Sequence, residues 1–377
     1  MRKSELPALT GIRFYAAVFV FLSHVTIIPG MDRLGERYLV FNSGVVAVSF
    51  FFVLSGFILT YNYADFFRDG VSLEKYKRFV WDRLTKIYPV HFLALILVLP
   101  IAIFSPNLPL DWRALPFHLL LVQCFWPSSS PTFHNYLNVP SWSISCEWFF
   151  YILAPLAIFS SFSLRRTRLA IVLIVSYAII LAFVLWNSPS QFRQLYFVSW
   201  FAPSRFPEFM CGVLLGRFFL SSSLSLGRLT SLFLQIAGIL LIVVGAIYRV
   251  HAAWPLWGGL LYLPGSILLV YGLAQGRSLL AMHLAHPWVR CLGISSFSLY
   301  MIHAPILRSL RSVFNRLGWG VNSWSTFAFS AILLFAGIQL VALFVCFKYE
   351  IPVQKALRRR LNLPVGSKQP LPLRELS

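Results

Sequence analysis

Apolar stretches long enough to cross a bilayer recur along this chain from one end to the other. A transmembrane helix needs roughly 20 apolar residues to span about 30 Å of hydrocarbon. Runs of that kind fall at about 6–29, 43–63, 87–104, 141–162, 169–187, 203–220, 229–249, 255–275, 290–309 and 323–347. The expected fold is all-α: a polytopic membrane helical bundle of about ten transmembrane helices. Composition agrees, because a chain that is 58% hydrophobic and 12% charged, with mean hydropathy +0.73, exposes too little polar surface for an ordinary soluble globule. No polar region is long enough for a separate soluble domain, so residues 1–350 form one membrane-embedded domain and 351–377 a short basic cytoplasmic tail. The tail, Pro-rich and basic from Arg358 to Ser377, is expected to be unstructured and drawn at most to anionic lipid.

A formal charge of +20 raises the question of nucleic acid, but the cations cluster between apolar runs, as topology determinants do. With both termini cytoplasmic, 22 of the 32 Lys and Arg fall on the inner side, 8 on the outer side, and Arg13 and Arg205 within spans. That excess favours the orientation and argues against a nucleic-acid partner. The 13-residue piece at 114–126, "ALPFHLLLVQCFW", is too short to span and is read as interfacial or re-entrant. Counting it as a span would put "RRTR" (165–168) outside. The first apolar run lacks a cleavage site followed by a polar mature region and contains Arg13, which marks a retained helix. Five scattered cysteines without CxxC spacing indicate neither a disulfide framework nor a metal site.

That first run, "TGIRFYAAVFVFLSHV" (10–25), holds an arginine and a histidine where charge in hydrocarbon costs several kcal/mol. Arg13 and His24 are eleven positions apart, which at 100° per residue is about 20° past three full turns, so they share one helix face about 16 Å apart along the axis. Each has a bland reading, snorkelling for Arg13 and an interhelical hydrogen bond for His24. An intramembrane histidine is also a candidate general base or transient nucleophile.

The segment "LTGIRFYAAVFVFLSH" resembles the opening of the membrane-bound acyltransferase-3 family, in which an arginine, ten residues and a histidine recur in the first span. Other segments follow in order. "VSFFFVLSGFIL" (48–59) resembles the second span, with Ser55, Gly56 and Phe57. "RLTKIYP" (83–89) resembles the basic lead-in to the third. "VPSWSISCEWFFY" (139–151) resembles a Trp-Ser…Glu…Phe-Tyr segment, and "LGISSFSLYMIHAPI" (292–306) a late span ending in histidine. The resemblance covers about residues 6–350. One departure is Lys86, where the family commonly has a second arginine after the one matched by Arg83; lysine lacks the planar fork for bidentate phosphate contacts.

The resemblance implies an integral-membrane O-acyltransferase that moves an acetyl group from cytoplasmic acetyl-CoA to a hydroxyl of a cell-surface or exopolysaccharide sugar, possibly lipid-linked, at the bacterial inner membrane. The expected catalytic residues are His24, as base or transient acyl carrier, and Glu147. The donor-binding candidates are Arg13, Arg83 and Lys86, since coenzyme A phosphates need cations and 68–86 offers six. The acceptor-side candidates are Ser143, Tyr151 and His303. Glu147 has no basic neighbour in sequence, so it needs a partner across helices: it orients His24, receives a proton, or pairs with Arg205. Arg205 and Glu208, three apart, can also satisfy each other. Ser55 and Gly56 read chiefly as a small pair for close helix approach. His91, His118, His134, His251, His283 and His286 fall at span ends or in loops, and no metal is expected. The competing readings are a secondary transporter with His24 as proton relay, disfavoured by the missing inverted repeat, and a lipid-linked glycan polymerase or flippase.

Overall fold

In the computed structural model the chain is helical, with no strand among the described residues, which are 4–31, 44–104, 112–125, 137–164, 182, 199–222, 224–251, 258–318, 320–321 and 323–363. The helices are α1 (Pro7–Val25), α2 (Gly44–Phe67), α3 (Leu73–Phe104), α4 (Leu115–Leu119), α5 (Ser141–Ser163), α6 (Ala202–Ser221), α7 (Arg228–His251), α8 (Leu263–Ala274), α9 (Leu279–Ala285), α10 (Pro287–Leu317), α11 (Trp324–Val345) and α12 (Ile351–Arg360). A 3₁₀ turn (Gly258–Tyr262) precedes α8, and a π turn (Cys346–Glu350) joins α11 to α12. The predicted span at 169–187, residue 182 apart, the basic run 165–168 and His134 lie outside the described residues.

Local chemistry sets many of the helix ends. Proline occupies the first turn of α1 and of α10, where its missing N–H would have had no intrahelical partner. Ser278 Oγ accepts from the Ala281 N–H at 3.0 Å to open α9, and Ser323 with Thr326 forms a capping box on α11. Gly318, at φ +65°, closes α10 in the left-handed conformation that favours glycine. Within α10, Pro305 cannot donate to the carbonyl of Met301, and Asn138 Nδ2 takes that place at 3.0 Å. A proline inside a membrane helix is tolerated when a neighbour re-satisfies the freed carbonyl in this way.

Among the described residues, six helices are long and apolar enough to cross a membrane: Pro7–Val25, Gly44–Phe67, Leu73–Ile103, Ser141–Ser163, Arg228–Tyr248 and Trp324–Arg360. The pair Gly259–Ala274 and Leu279–Ala285, bent by 76°, makes a seventh if counted as one broken span. The predicted runs at 203–220 and 290–309 correspond to α6 and α10, 20 and 31 residues long; α6 carries Arg205 and Glu208 within its run, and α10 places Arg308 and Arg311 in its C-terminal third. The 114–126 piece holds only the five-residue α4, as its length requires.

The basic stretch before residue 87 differs from a loop. It forms the first turns of α3, whose 32 residues extend about 48 Å at 1.5 Å each, well beyond the hydrocarbon thickness. His91 therefore sits inside a helix, fully buried, with Nε2 2.8 Å from the carbonyl of His118. Of the tail expected to be unstructured, Arg358–Arg360 form the last turn of α12, and residues 364–377 lie outside the described residues.

The bundle is drawn together by close backbone crossings. A Cβ on Gly56 of α2 would stand 2.1 Å from the Phe209 carbonyl of α6, and one on Gly212 of α6 would stand 2.1 Å from the Val53 carbonyl of α2. Neither position has room for a methyl group, so this crossing depends on both glycines. α1 lies against α10 in the same manner, with Gly293 facing the Thr10 carbonyl. These contacts bring α1, α2, α5 and α10 around one polar interior.

Candidate active site

Arg13 and His24 of α1 both turn inward. Arg13 lines a cavity of about 50 Å³ together with Ser143 and Glu147 of α5, Phe51 of α2, and Phe297 and Tyr300 of α10. By the measure of roughly 10–15 Å³ per water, this holds a few waters or a group of similar bulk. His24, eleven residues on, is half-buried and lies outside the cavity lining; its ring meets that of His303 on α10. Tyr300 links the two places. Its hydroxyl is 2.5 Å from Ser143 Oγ in the cavity wall, and its ring lies 6.2 Å from that of His303.

The histidine pair has a defined proton arrangement. His303 Nδ1 lies 3.0 Å from the carbonyl of Leu299, and a carbonyl only accepts, so Nδ1 carries the hydrogen. In the neutral ring Nε2 is then bare, and it sits 3.0 Å from His24 Nδ1. His24 Nδ1 is also 3.0 Å from the Val20 carbonyl, so its N–H is shared between two acceptors. The hydrogen-bond network thus assigns His24 the tautomer in which Nε2 holds the free lone pair. His303 is completely buried and held by packing on Phe21 and Tyr300.

Glu147 makes no direct ion pair among the described residues; its carboxylate faces the Tyr151 and Ser55 hydroxyls and feels the charges of Arg13 and Arg83. The alternative partner read from the sequence, Arg205, is engaged elsewhere. Arg205 Nη2 and Nε lie 3.0 and 3.1 Å from Glu208 Oε2, and Nη2 donates to Ser49 Oγ at 2.9 Å. Its guanidinium stacks over Phe52 and Trp142. Arg205 and Glu208 are 1% and 2% exposed, so each is the other's compensation in a low-dielectric interior.

Arg83 and Lys86, the other predicted donor-binding residues, already hold carboxylates. Arg83 pairs with Asp82 and donates to the Tyr63 hydroxyl at 3.0 Å. Lys86 Nζ donates to Glu350 Oε1 at 2.5 Å and lies over the Phe297 ring, which joins it to the cavity wall. Sequence reading passed over Asp82, Glu350 and Tyr300. For Tyr300 a signal existed, since it stands one helical turn before His303 in the quoted late segment. Nothing local marks Glu350 as the partner of a lysine 264 positions away.

A family model described as an acyltransferase domain matches residues 6–345. The chain is 31% identical over 356 residues to Acyltransferase MdmB of Streptomyces mycarofaciens, covering 88% of this chain and 87% of that protein. It is also 27% identical over 190 residues to Protein 2 in picA locus of Rhizobium radiobacter, covering 47% of this chain and 92% of that protein. No solved structure matches.

Proposed function

Because this chain belongs to the acyltransferase-3 family and is a multi-pass membrane acyltransferase, we propose that it transfers an acetyl group from cytoplasmic acetyl-CoA to a hydroxyl of a cell-surface or exopolysaccharide sugar. The observation that carries this reading is the free Nε2 lone pair of His24, fixed by the His303 contact at 3.0 Å. Arg13, on the same helix, reaches the cavity shared with Glu147 and Ser143.

In the proposed step, His24 Nε2 takes the proton from the acceptor hydroxyl as its oxygen attacks the thioester carbonyl carbon. The C–S bond breaks, and the departing thiolate recovers that proton from the His24 imidazolium. An O-acetyl ester and free coenzyme A result. While His24 is charged, the bare Nε2 of His303 accepts from its Nδ1–H and stabilises the cation. Arg13, Arg83 and Lys86 serve the donor, and Ser143, Tyr151 and His303 border the acceptor side. Membrane lipids surround the bundle, and the acceptor sugar is presented on the outer side of a bacterial inner membrane, possibly on a lipid carrier.

Membranes containing the protein are incubated with radiolabelled acetyl-CoA and the cell's polysaccharide fraction. The expected result is alkali-labile label in the polysaccharide, abolished by His24→Ala and retained by replacement of the exposed His286 with alanine. Label crossing the membrane without covalent incorporation would overturn the reading in favour of a transporter.

A further inference from the structure

Acyl transfer puts negative charge on the thioester carbonyl oxygen as the acceptor oxygen attacks, and a buried site has to offer that oxygen a hydrogen-bond donor. Tyr300 lines the cavity and carries a hydroxyl that the proposed transfer step does not use. Ser296, Tyr300 and His303 stand at i, i+4 and i+7 on α10, so one stripe leads from the cavity to the histidine pair. The Ser296 hydroxyl is spent on the Gly293 carbonyl at 2.7 Å. Tyr300 is buried, and the Phe51 ring meets its ring edge-on at 6.2 Å and 80°, which fixes it between the cavity and His303.

The partners of the Tyr300 hydroxyl leave it one exchangeable bond. Its oxygen is 2.5 Å from Ser143 Oγ, and the Pro140 carbonyl lies 3.0 Å from Ser143 Oγ and 3.3 Å from Tyr300 Oη. Two hydroxyls share one carbonyl, so their two hydrogens have two arrangements. In one, Ser143 donates to Pro140 and Tyr300 donates to Ser143. In the other, Ser143 donates to Tyr300, and the Tyr300 hydrogen takes the longer contact to Pro140. A thioester oxygen in the cavity competes only with that 3.3 Å contact, and once it bears charge it accepts with about twice the strength of a neutral oxygen. Donation from Ser143 at the same time polarises the Tyr300 O–H and strengthens it as a donor.

We propose that Tyr300 is the hydrogen-bond donor to the thioester carbonyl oxygen, with Ser143 acting through it as a positioning residue. This rests on the acetyl-CoA reading above. As the acceptor oxygen bonds to the carbonyl carbon, the C=O electron pair moves onto oxygen and Tyr300 donates to it while keeping its own proton; His24 holds the proton of the acceptor. The pair then returns to re-form C=O, the C–S bond breaks, and the thiolate takes the proton from His24.

Acetyl transfer from acetyl-CoA is measured with the full-length protein in phosphatidylcholine vesicles. Y300F is expected to lower kcat about 100-fold, the scale of one lost oxyanion donor, with the KM for acetyl-CoA little changed. S143A should lower kcat about 5-fold, the scale of one neutral hydrogen bond. The double variant should match Y300F alone, because Ser143 has no route to the oxyanion except through Tyr300. Replacing Tyr300 by 3-fluorotyrosine keeps the Ser143 contact and makes the hydroxyl more acidic, so kcat should rise; this variant carries the test if Y300F fails to fold. Y76F removes a hydroxyl bond to the Ile152 carbonyl, outside the cavity lining, and should change neither constant. A Y300F kcat near that of the unaltered protein, a change in KM alone, losses that multiply in the double variant, or a fluorotyrosine rate that does not rise would overturn the assignment. Absence of transfer by the unaltered protein would defeat the acetyl-CoA reading, and this assignment with it.

Discussion

His24 and His303 stand 279 positions apart in the chain, and their rings meet Nδ1 to Nε2 at 3.0 Å. The contact joins α1 to α10 and decides which nitrogen of His24 is free to act. A histidine on a lipid-facing surface would have no such constraint on its tautomer.

His303 is therefore expected to matter as a hydrogen-bond acceptor. In His303→Gln the side-chain oxygen can still accept from His24 Nδ1–H, whereas in His303→Leu nothing can. The leucine variant should lose about 100-fold in kcat, with the KM for acetyl-CoA little changed, and the glutamine variant should recover about 10-fold of that. Steady-state acetyl transfer checks this, and equal losses in the two variants would leave His303 a packing residue.

Glu147→Gln preserves the shape beside Tyr151 and Ser55 and removes the negative charge near Arg13. A loss of about 10-fold or more in transfer is expected, with the melting temperature in detergent nearly unchanged. A wild-type rate in this variant would exclude Glu147 from the chemistry.

The Arg205 and Glu208 pair should respond in the opposite way, through stability. Arg205→Met alone strands a carboxylate that is 2% exposed, at a cost of about 3–5 kcal/mol. Replacing Glu208 by leucine in the same chain should restore most of that, because two apolar side chains need no compensation. Thermal unfolding of the purified single and double variants measures the difference. An additive, larger loss in the double variant would contradict the pairing.

Gly56→Ala and Gly212→Ala each force a methyl group to 2.1 Å from a carbonyl oxygen of the facing helix, where neither backbone can give way locally. Each should destabilise by about 1–3 kcal/mol. Gly337→Ala, with open space around the new Cβ, should not. Unfolding temperatures that fail to separate these variants would show that α2 and α6 can separate without loss.

The sequence alone determined the class of fold and much of the candidate site. Runs of about 20 apolar residues leave the backbone no satisfactory state in lipid except a helix, and a period of 3.6 residues puts Arg13 and His24 on one face wherever the helix lies. The ordered motifs identified the family, and the three-residue interval from Arg205 to Glu208 anticipated their pairing because both sit on one helix.

Tertiary structure decided the partners. Periodicity specifies the direction a side chain takes from its own axis, but the group it meets there depends on which helix crosses, and that is set by close contacts such as Gly56 with Phe209 and Gly293 with Thr10. So His24 found His303, Lys86 found Glu350, and Asp82 gathered both Arg83 and Arg358. Away from water an ionic or polar group must be satisfied by whichever neighbour packing supplies, and that neighbour can stand hundreds of residues away.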